Sequence, residues 1–251
     1  MASDICLVCE SAPKRQNYQF CSQKCTKEAA SRAPELMRVP KGHVIHDNVT
    51  KLWSEKWHDS TTPCPSIAKI YLITWTAEMR TSFDAYREEV ARKRNRADDK
   101  PKEIKCFRSE RRACRLGDSK SYDSLCNNQN CRLCVAIKTS FGTSLDFKRQ
   151  QVNSGAKDGI RFGGGIYMSA SSNKAFEYAK NLKKGSEYLA VLVTRTVLGN
   201  IQILSAEDHT RMEPNKGYDS VKGRADGGGS LEYVVYDENA VRPAYLIMVK
   251  V

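Results

Sequence analysis

Two periodicities organise the chain from residue 67 onward. Ile67 to Trp75 is an almost unbroken apolar run of strand length, which predicts a buried strand. Glu78 to Arg94 then places Met79, Phe83, Tyr86 and Val90 at helical spacing, one apolar stripe on a charged helix that packs on a sheet. Ile104 to Arg108 is a short strand candidate, and a short helix follows Val135. Further on, the pattern predicts a strand at Gly164 to Ser169 and a helix from Ser172 to about Leu182. Strands follow at Tyr188 to Val197, Leu231 to Tyr236 and Arg242 to Val251. Many strands with few, short helices indicate an α+β domain built on antiparallel sheets.

The remaining chain is marked by composition. Residues 1–33 form a cysteine-marked unit that ends in a helix, Ser22 to Arg32, so the expected organisation is a module at 1–33 followed by a domain at 34–251. Pro34 to Pro65 contains Pro, His and Trp and reads as irregular. Asn95 to Glu103 is polar, contains Pro101 and reads as an exposed loop, and Cys114 to Cys134 is a second cysteine-rich loop.

With 40% hydrophobic and 28% charged residues over 251 positions, the composition is that of a globular chain. No apolar run approaches the roughly 20 residues of a membrane span. The start, Met-Ala-Ser-Asp-Ile-Cys, lacks the basic and apolar parts of a secretory signal, so an intracellular location, cytoplasm or nucleus, is expected. Forty-one Lys and Arg against 29 Asp and Glu leave a formal charge of +12. Such a field attracts polyanions and would draw a dinucleotide to a cleft; charge alone speaks for nucleic acid. Arg92-Lys93-Arg94-Asn95-Arg96 reads equally as a nuclear localisation patch or as an exposed helix end.

Ten cysteines in an intracellular chain point to metal before disulfides. Cys6 and Cys9, followed by Cys21 and Cys25, form a four-thiolate set suited to a closed tetrahedral zinc site. The unit around them is too small to fold on its own core, so the metal would supply folding energy. Cys114, Cys126, Cys131 and Cys134 offer a second set around a Cys-x-x-Cys chelate. Cys64 and Cys106 have no adjacent base and read as buried apolar fillers.

Phe162-Gly163-Gly164-Gly165-Ile166-Tyr167-Met168-Ser169 is the most specific segment: glycines admit close approach of a ligand, and the strand presents an aromatic face. It resembles the F-G-x-G-I-Y strand of the poly(ADP-ribose) polymerase superfamily. Ser172 to Tyr178 resembles that family's S-K-S-x-x-Y helix, Tyr188 to Gly199 its strand ending in L-G-N, and Gly217 to Gly223 its D-S-V-x-G loop. Leu231 to Glu238 resembles its E-Y-V-V-Y-D strand, with an R-P-x-Y-L ending at Arg242 to Leu246. The ordered motifs span residues 104–251. The resemblance implies an ADP-ribosyltransferase fold of two packed, mainly antiparallel sheets and NAD as substrate. It implies Tyr167 and Tyr178 as rings stacking on nicotinamide, and Glu232 as the catalytic carboxylate. Ser109, Gly165 and Lys174 join the two tyrosines as NAD contacts.

The chain departs from the family in two places, and in the first of them Ser109 also replaces a glycine whose role main-chain groups can still supply. Phe107-Arg108-Ser109-Glu110 ahead of Arg111-Arg112-Ala113-Cys114 puts arginine where the family's triad begins with histidine. An arginine fork suits phosphate, so Arg108 can anchor NAD or block the pocket. Ala175 replaces a serine that would hydrogen-bond the carboxamide, a loss on the order of 1 kcal/mol. The expected activity is a mono-ADP-ribosyltransferase with an Arg-Tyr-Glu triad, releasing nicotinamide and modifying a protein or nucleic-acid acceptor. The alternatives are an NAD glycohydrolase and a non-catalytic module that binds NAD, ADP-ribose or nucleic acid.

Overall fold

The computed structural model describes residues 3–93, 103–224 and 231–251. The segment 225–230 and most of the expected loop at 95–103 lie outside them, as do Arg94, Asn95 and Arg96 of the basic cluster. Arg92 and Lys93 occupy the last turn of a helix, α3 (Ala77–Lys93).

Among the described residues nine strands form one sheet, built from β1 (Leu36–Val39), β2 (Ile67–Ile73), β3 (Glu103–Arg108), β4 (Ile166–Ser169), β5 (Tyr188–Val197), β6 (Ile201–Leu204), β7 (Ser220–Arg224), β8 (Leu231–Val235) and β9 (Val241–Lys250). Their order is β1-β2-β9-β5-β3-β4-β8-β7-β6. The α+β, mainly antiparallel architecture is the expected one; only β6 and β7 run parallel. The two expected sheets meet as halves of a single sheet, because one residue pair, Phe107 with Ser169, joins β3 to β4. Five strands lie on one side of that junction and four on the other. The candidate site sits where the halves meet.

The stretch expected to be irregular, Pro34 to Pro65, instead contains β1 and a helix, α2 (Val44–Glu55). Ile45, Val49 and Trp53 are buried at helical spacing on α2. Its start is capped by His43, whose Nδ1 accepts from the Ile45 N–H at 3.0 Å, rather than by Ser, Thr, Asp or Asn. One short helix expected after Val135 is two, α4 (Arg132–Thr139) and α5 (Gly142–Asn153), broken where Ser140 and Phe141 both adopt positive φ. The helix expected from Ser172 to Leu182 is shorter, α6 (Ser172–Glu177).

The cysteine-marked N-terminal unit does not stand apart. Its helix, α1 (Gln23–Ser31), is capped by the Ser22 side chain accepting from Cys25 N. Cys6, Phe20, Cys25 and Ala29 belong to one buried cluster with Val39, Ile45, Val49 and Trp53. That cluster continues through β2, β5 and β9 to Phe107 and Ala175, so the apolar contacts run from the first cysteine quartet to the wall of the site.

Cys106 is buried as expected, and burial pushes its thiol up to about 12. Cys64 corrects the expectation: it is exposed, in the Pro63-Cys64-Pro65 approach to β2 and outside the core. No helix among the described residues is long and apolar enough to cross a membrane.

Candidate active site

Strand register assembles the site. In β4 and β8, Ser169 pairs with Glu232 and Tyr167 with Val234. Residues two apart share a face of a strand and cross-strand partners face the same way. Tyr167, Ser169 and Glu232 therefore project from one face, and all three line a cavity of about 260 Å³. Phe107, Arg108 and Ser109 close it from the end of β3, and Lys174, Ala175 and Tyr178 from α6 and its C-cap.

Glu232 lies 2.9 Å from the Lys174 ammonium, with the two side chains 14% and 10% exposed. This ion pair crosses from β8 to α6 and fixes the carboxylate at the cavity wall. Helix α6 is itself tied down at its start. Ser172 Oγ donates to the Trp53 carbonyl at 2.8 Å, and the Ser172 N–H to the Lys56 carbonyl at 3.0 Å.

Tyr167 is held through its hydroxyl, which donates to the Gly163 carbonyl and accepts from the Phe162 N–H, both at 2.8 Å. Burial pushes this phenol well above its ordinary value. Tyr167 is thus a clamped ring whose proton is committed to the backbone, suited to stacking and unsuited to acid catalysis. Tyr178, 59% exposed, stands at the mouth of the same cavity. On α5, Lys148 also lines the cavity and donates to the Gly159 carbonyl at 2.7 Å. Burial lowers its pKa, and the Arg108 charge adds to that shift.

Gly165 is not among the described residues that line the cavity. A Cβ there would run into the side chain of Val234 and approach the Val235 carbonyl to 2.9 Å, so strand contact with β8 by itself requires the glycine. Gly163, with φ +77, lies against the Arg211 carbonyl for a similar reason.

Arg108 lines the cavity, but its fork is already engaged. Nε donates to Glu110 Oε1 at 2.8 Å, and Nη2 lies 2.6 Å from the same oxygen. Nη1 donates to the Tyr167 carbonyl at 2.5 Å, and the guanidinium lies 5.3 Å from the Phe141 ring centroid. Because side chains alternate along β3, Phe107 faces the Ser169 side and Arg108 the opposite one, over the Phe141 ring at the start of α5. Ser109 Oγ is buried without a partner among the described residues. Glu110 joins the arrangement unforeseen; its only sequence signal was proximity to an arginine that has no reason to stay unpaired at a strand end.

Both cysteine quartets come together. In each, the four sulfurs lie within 4.8 Å of one another. Cys9 to Cys21 and Cys21 to Cys25 are 3.5 Å apart, as are Cys114 and Cys131. A tetrahedral ion with bonds of about 2.3 Å to thiolate separates its sulfurs by about 3.8 Å, so both sets can hold a metal. Four such thiols cannot all ionise without a cation. Hydrogen bonds from Ser11 bring Cys9 down to about 6. Cys21 is helped by the Ser22 hydroxyl, yet Cys25 and burial drive it up to about 12.

Residues 147–228, about a third of the chain, match the family model of the poly(ADP-ribose) polymerase catalytic domain. The match agrees with the motif resemblance over the region it covers. It contains Tyr167, Lys174 and Tyr178; Arg108 and Glu232 lie on either side of it. No curated protein matches the chain.

Proposed function

We propose that the chain is a mono-ADP-ribosyltransferase that transfers ADP-ribose from NAD to a macromolecular acceptor and releases nicotinamide. The observation that carries this reading is the convergence of Tyr167, Tyr178 and the paired Glu232 on one cavity. Nicotinamide stacks between the two rings. The bond from ribose C1′ to the nicotinamide nitrogen breaks with its electron pair passing to the ring, which leaves neutral. The sugar centre becomes cationic, and the Glu232 carboxylate opposes that charge while accepting the ribose 2′-hydroxyl. An acceptor oxygen or nitrogen then bonds to C1′ and loses its proton. Lys174 keeps Glu232 in place until that charge develops. Water in place of the acceptor would make the same site a glycohydrolase.

The two quartets, Cys6/Cys9/Cys21/Cys25 and Cys114/Cys126/Cys131/Cys134, hold structural zinc in this reading. Four protein ligands leave no position for substrate, so the metal supplies folding energy and no chemistry.

A second reading has one observation behind it: the Arg108 fork, needed to anchor NAD in an Arg-Tyr-Glu triad, is occupied by Glu110. A non-catalytic module that binds NAD or ADP-ribose fits that feature. Purified protein incubated with NAD, alone and with protein or nucleic-acid acceptors, separates the readings. Nicotinamide release that Glu232→Gln abolishes supports the transferase. Saturable NAD binding with no release under any acceptor condition replaces it with the module.

A further inference from the structure

We infer that Glu110 selects the dinucleotide: its free carboxylate oxygen accepts a hydroxyl of the adenosine ribose and repels a 2′-phosphate, so the site takes NAD and rejects NADP. This rests on the NAD reading above. Next to the inner cavity lies an outer groove of about 330 Å³ that shares Arg108, Ser109, Lys148 and Tyr178 with it. The two form one trench, with Glu232 lining only the inner part and Glu110 only the outer. With nicotinamide and its ribose beside Glu232, the outer groove receives the rest of the dinucleotide.

The outer groove is otherwise cationic, with Arg111, Arg132, Lys148 and Lys180 on its walls and Glu110 the one acidic residue lining it among the described residues. Such a wall suits a diphosphate. A carboxylate there works against phosphate binding unless it faces hydroxyls, the role acidic residues take toward ribose in dinucleotide sites. The hydrogen bonds of Glu110 support that assignment. Arg108 Nε and Ser144 Oγ donate to Oε1, at 2.8 and 3.4 Å, and Arg108 Nη2 pairs with the same atom. No described residue meets Oε2, and this atom is not among the buried unpartnered ones. Arg108 therefore fixes the carboxylate and offsets its charge, leaving Oε2 as an acceptor open to the groove. The Arg108–Glu110 pair thus serves as a unit: the arginine positions, and the glutamate contacts the ligand. A 2′-phosphate would bring two like charges together, which costs affinity heavily in a partly buried groove.

The test is calorimetric titration of the full chain with four ligands: NAD, NADP, ADP-ribose and ADP-ribose carrying the 2′-phosphate. Wild-type protein is expected to bind each unphosphorylated ligand at least about tenfold more tightly than its phosphorylated counterpart. Glu110→Gln and Glu110→Ala should shrink that ratio to about threefold or less by weakening NAD and strengthening NADP. Glu110→Asp, which keeps the charge, should preserve the direction of the preference. A purely structural role for Glu110 would change all four affinities together and leave the ratio alone. Equal binding of NAD and NADP by wild-type protein overturns the inference. So does an unchanged ratio in both neutral variants with metal content intact. If wild-type protein binds none of the four, the NAD reading itself fails and takes this inference with it.

Discussion

The ion pair between Lys174 and Glu232 allows the sharpest quantitative test. At 2.9 Å and an effective dielectric of about 20, two unit charges attract by about 6 kcal/mol. Both side chains are mostly withdrawn from water, at 10% and 14% exposure, so desolvation offsets much of that attraction. A net coupling of about 2 kcal/mol is left, within the range of close charge pairs. Lys174 has further interactions beyond this pair, so Lys174→Met alone mixes several losses. A double-mutant cycle with Glu232→Gln cancels them. Urea denaturation of wild type, both single variants and the double variant reads the coupling directly. Single-variant losses that simply add, within about 0.5 kcal/mol, would refute the claim that Lys174 holds the carboxylate. The same Glu232→Gln protein should lose turnover by roughly a hundredfold while its affinity for NAD changes little, because the opposed charge exists mainly in the transition state. An equal loss in affinity would mean that Glu232 binds substrate without serving the chemistry.

Metal analysis of purified protein should give about two zinc ions per chain by the four-thiolate rule, and Cys131→Ser should remove one of them; a content near zero rejects both sites. Tyr167→Ala and Tyr178→Ala should each weaken binding of a nicotinamide-like inhibitor several-fold, about 1 kcal/mol or more. Only Tyr167→Ala should also lower the melting temperature, since its hydroxyl bonds close the Phe162–Gly163 turn. Ser109→Ala should stabilise the fold slightly, because the buried Oγ has no partner among the described residues; a loss of stability would show that the hydroxyl is satisfied in solution. Arg108→Ala should raise the Michaelis constant for NAD, and Arg108→Lys should rescue it poorly, since lysine lacks the fork that engages Glu110. Full rescue by lysine would reduce Arg108 to a point charge.

The strands at β2, β3, β5, β8 and β9 were legible because each is a run of apolar or alternating residues, and burial follows that pattern closely. The cysteine quartets were legible because chelate spacing is a local property, and in both cases distant pairs met within 4.8 Å. Helix α2 was missed although Ile45, Val49 and Trp53 mark its buried face. Its histidine cap and the Pro and Trp content around it concealed the period. Strands β6 and β7 escaped because each is only four or five residues long and part exposed. The motif strands supplied Tyr167 and Glu232, but not their relation. Register did that, by setting Glu232 opposite Ser169. Arg108 was singled out by its motif, with anchoring NAD and blocking the pocket both left open, and its pairing was not foreseen. Strand alternation turns it toward Glu110, and nothing within the motif announces that choice.

Helix α6 shows how the cysteine quartets bear on the site. Six residues form too short a helix to be stable alone, yet this one carries Lys174 and Ala175, with Tyr178 at its cap. Its position comes from ties at both ends. At the start, Ser172 hydrogen-bonds the carbonyls of Trp53 and Lys56 at the end of α2, and Trp53 shares its buried cluster with Cys6 and Cys25. Beyond the end, the Arg112 N–H donates to the Lys180 carbonyl and the Leu182 N–H to the Arg112 carbonyl, both at 2.8 Å. Arg112, buried and bonded to Asn181, Asp118 and Ser186, lies two residues before Cys114. The Ala113 N–H donates to Cys131 Sγ at 3.3 Å. Each cysteine set therefore borders one end of the segment that presents the ion-paired lysine and Tyr178. The two cysteine quartets are in this way linked to the cavity wall, the first through the apolar cluster around Trp53 and the second through the backbone hydrogen bonds of Arg112 and Ala113.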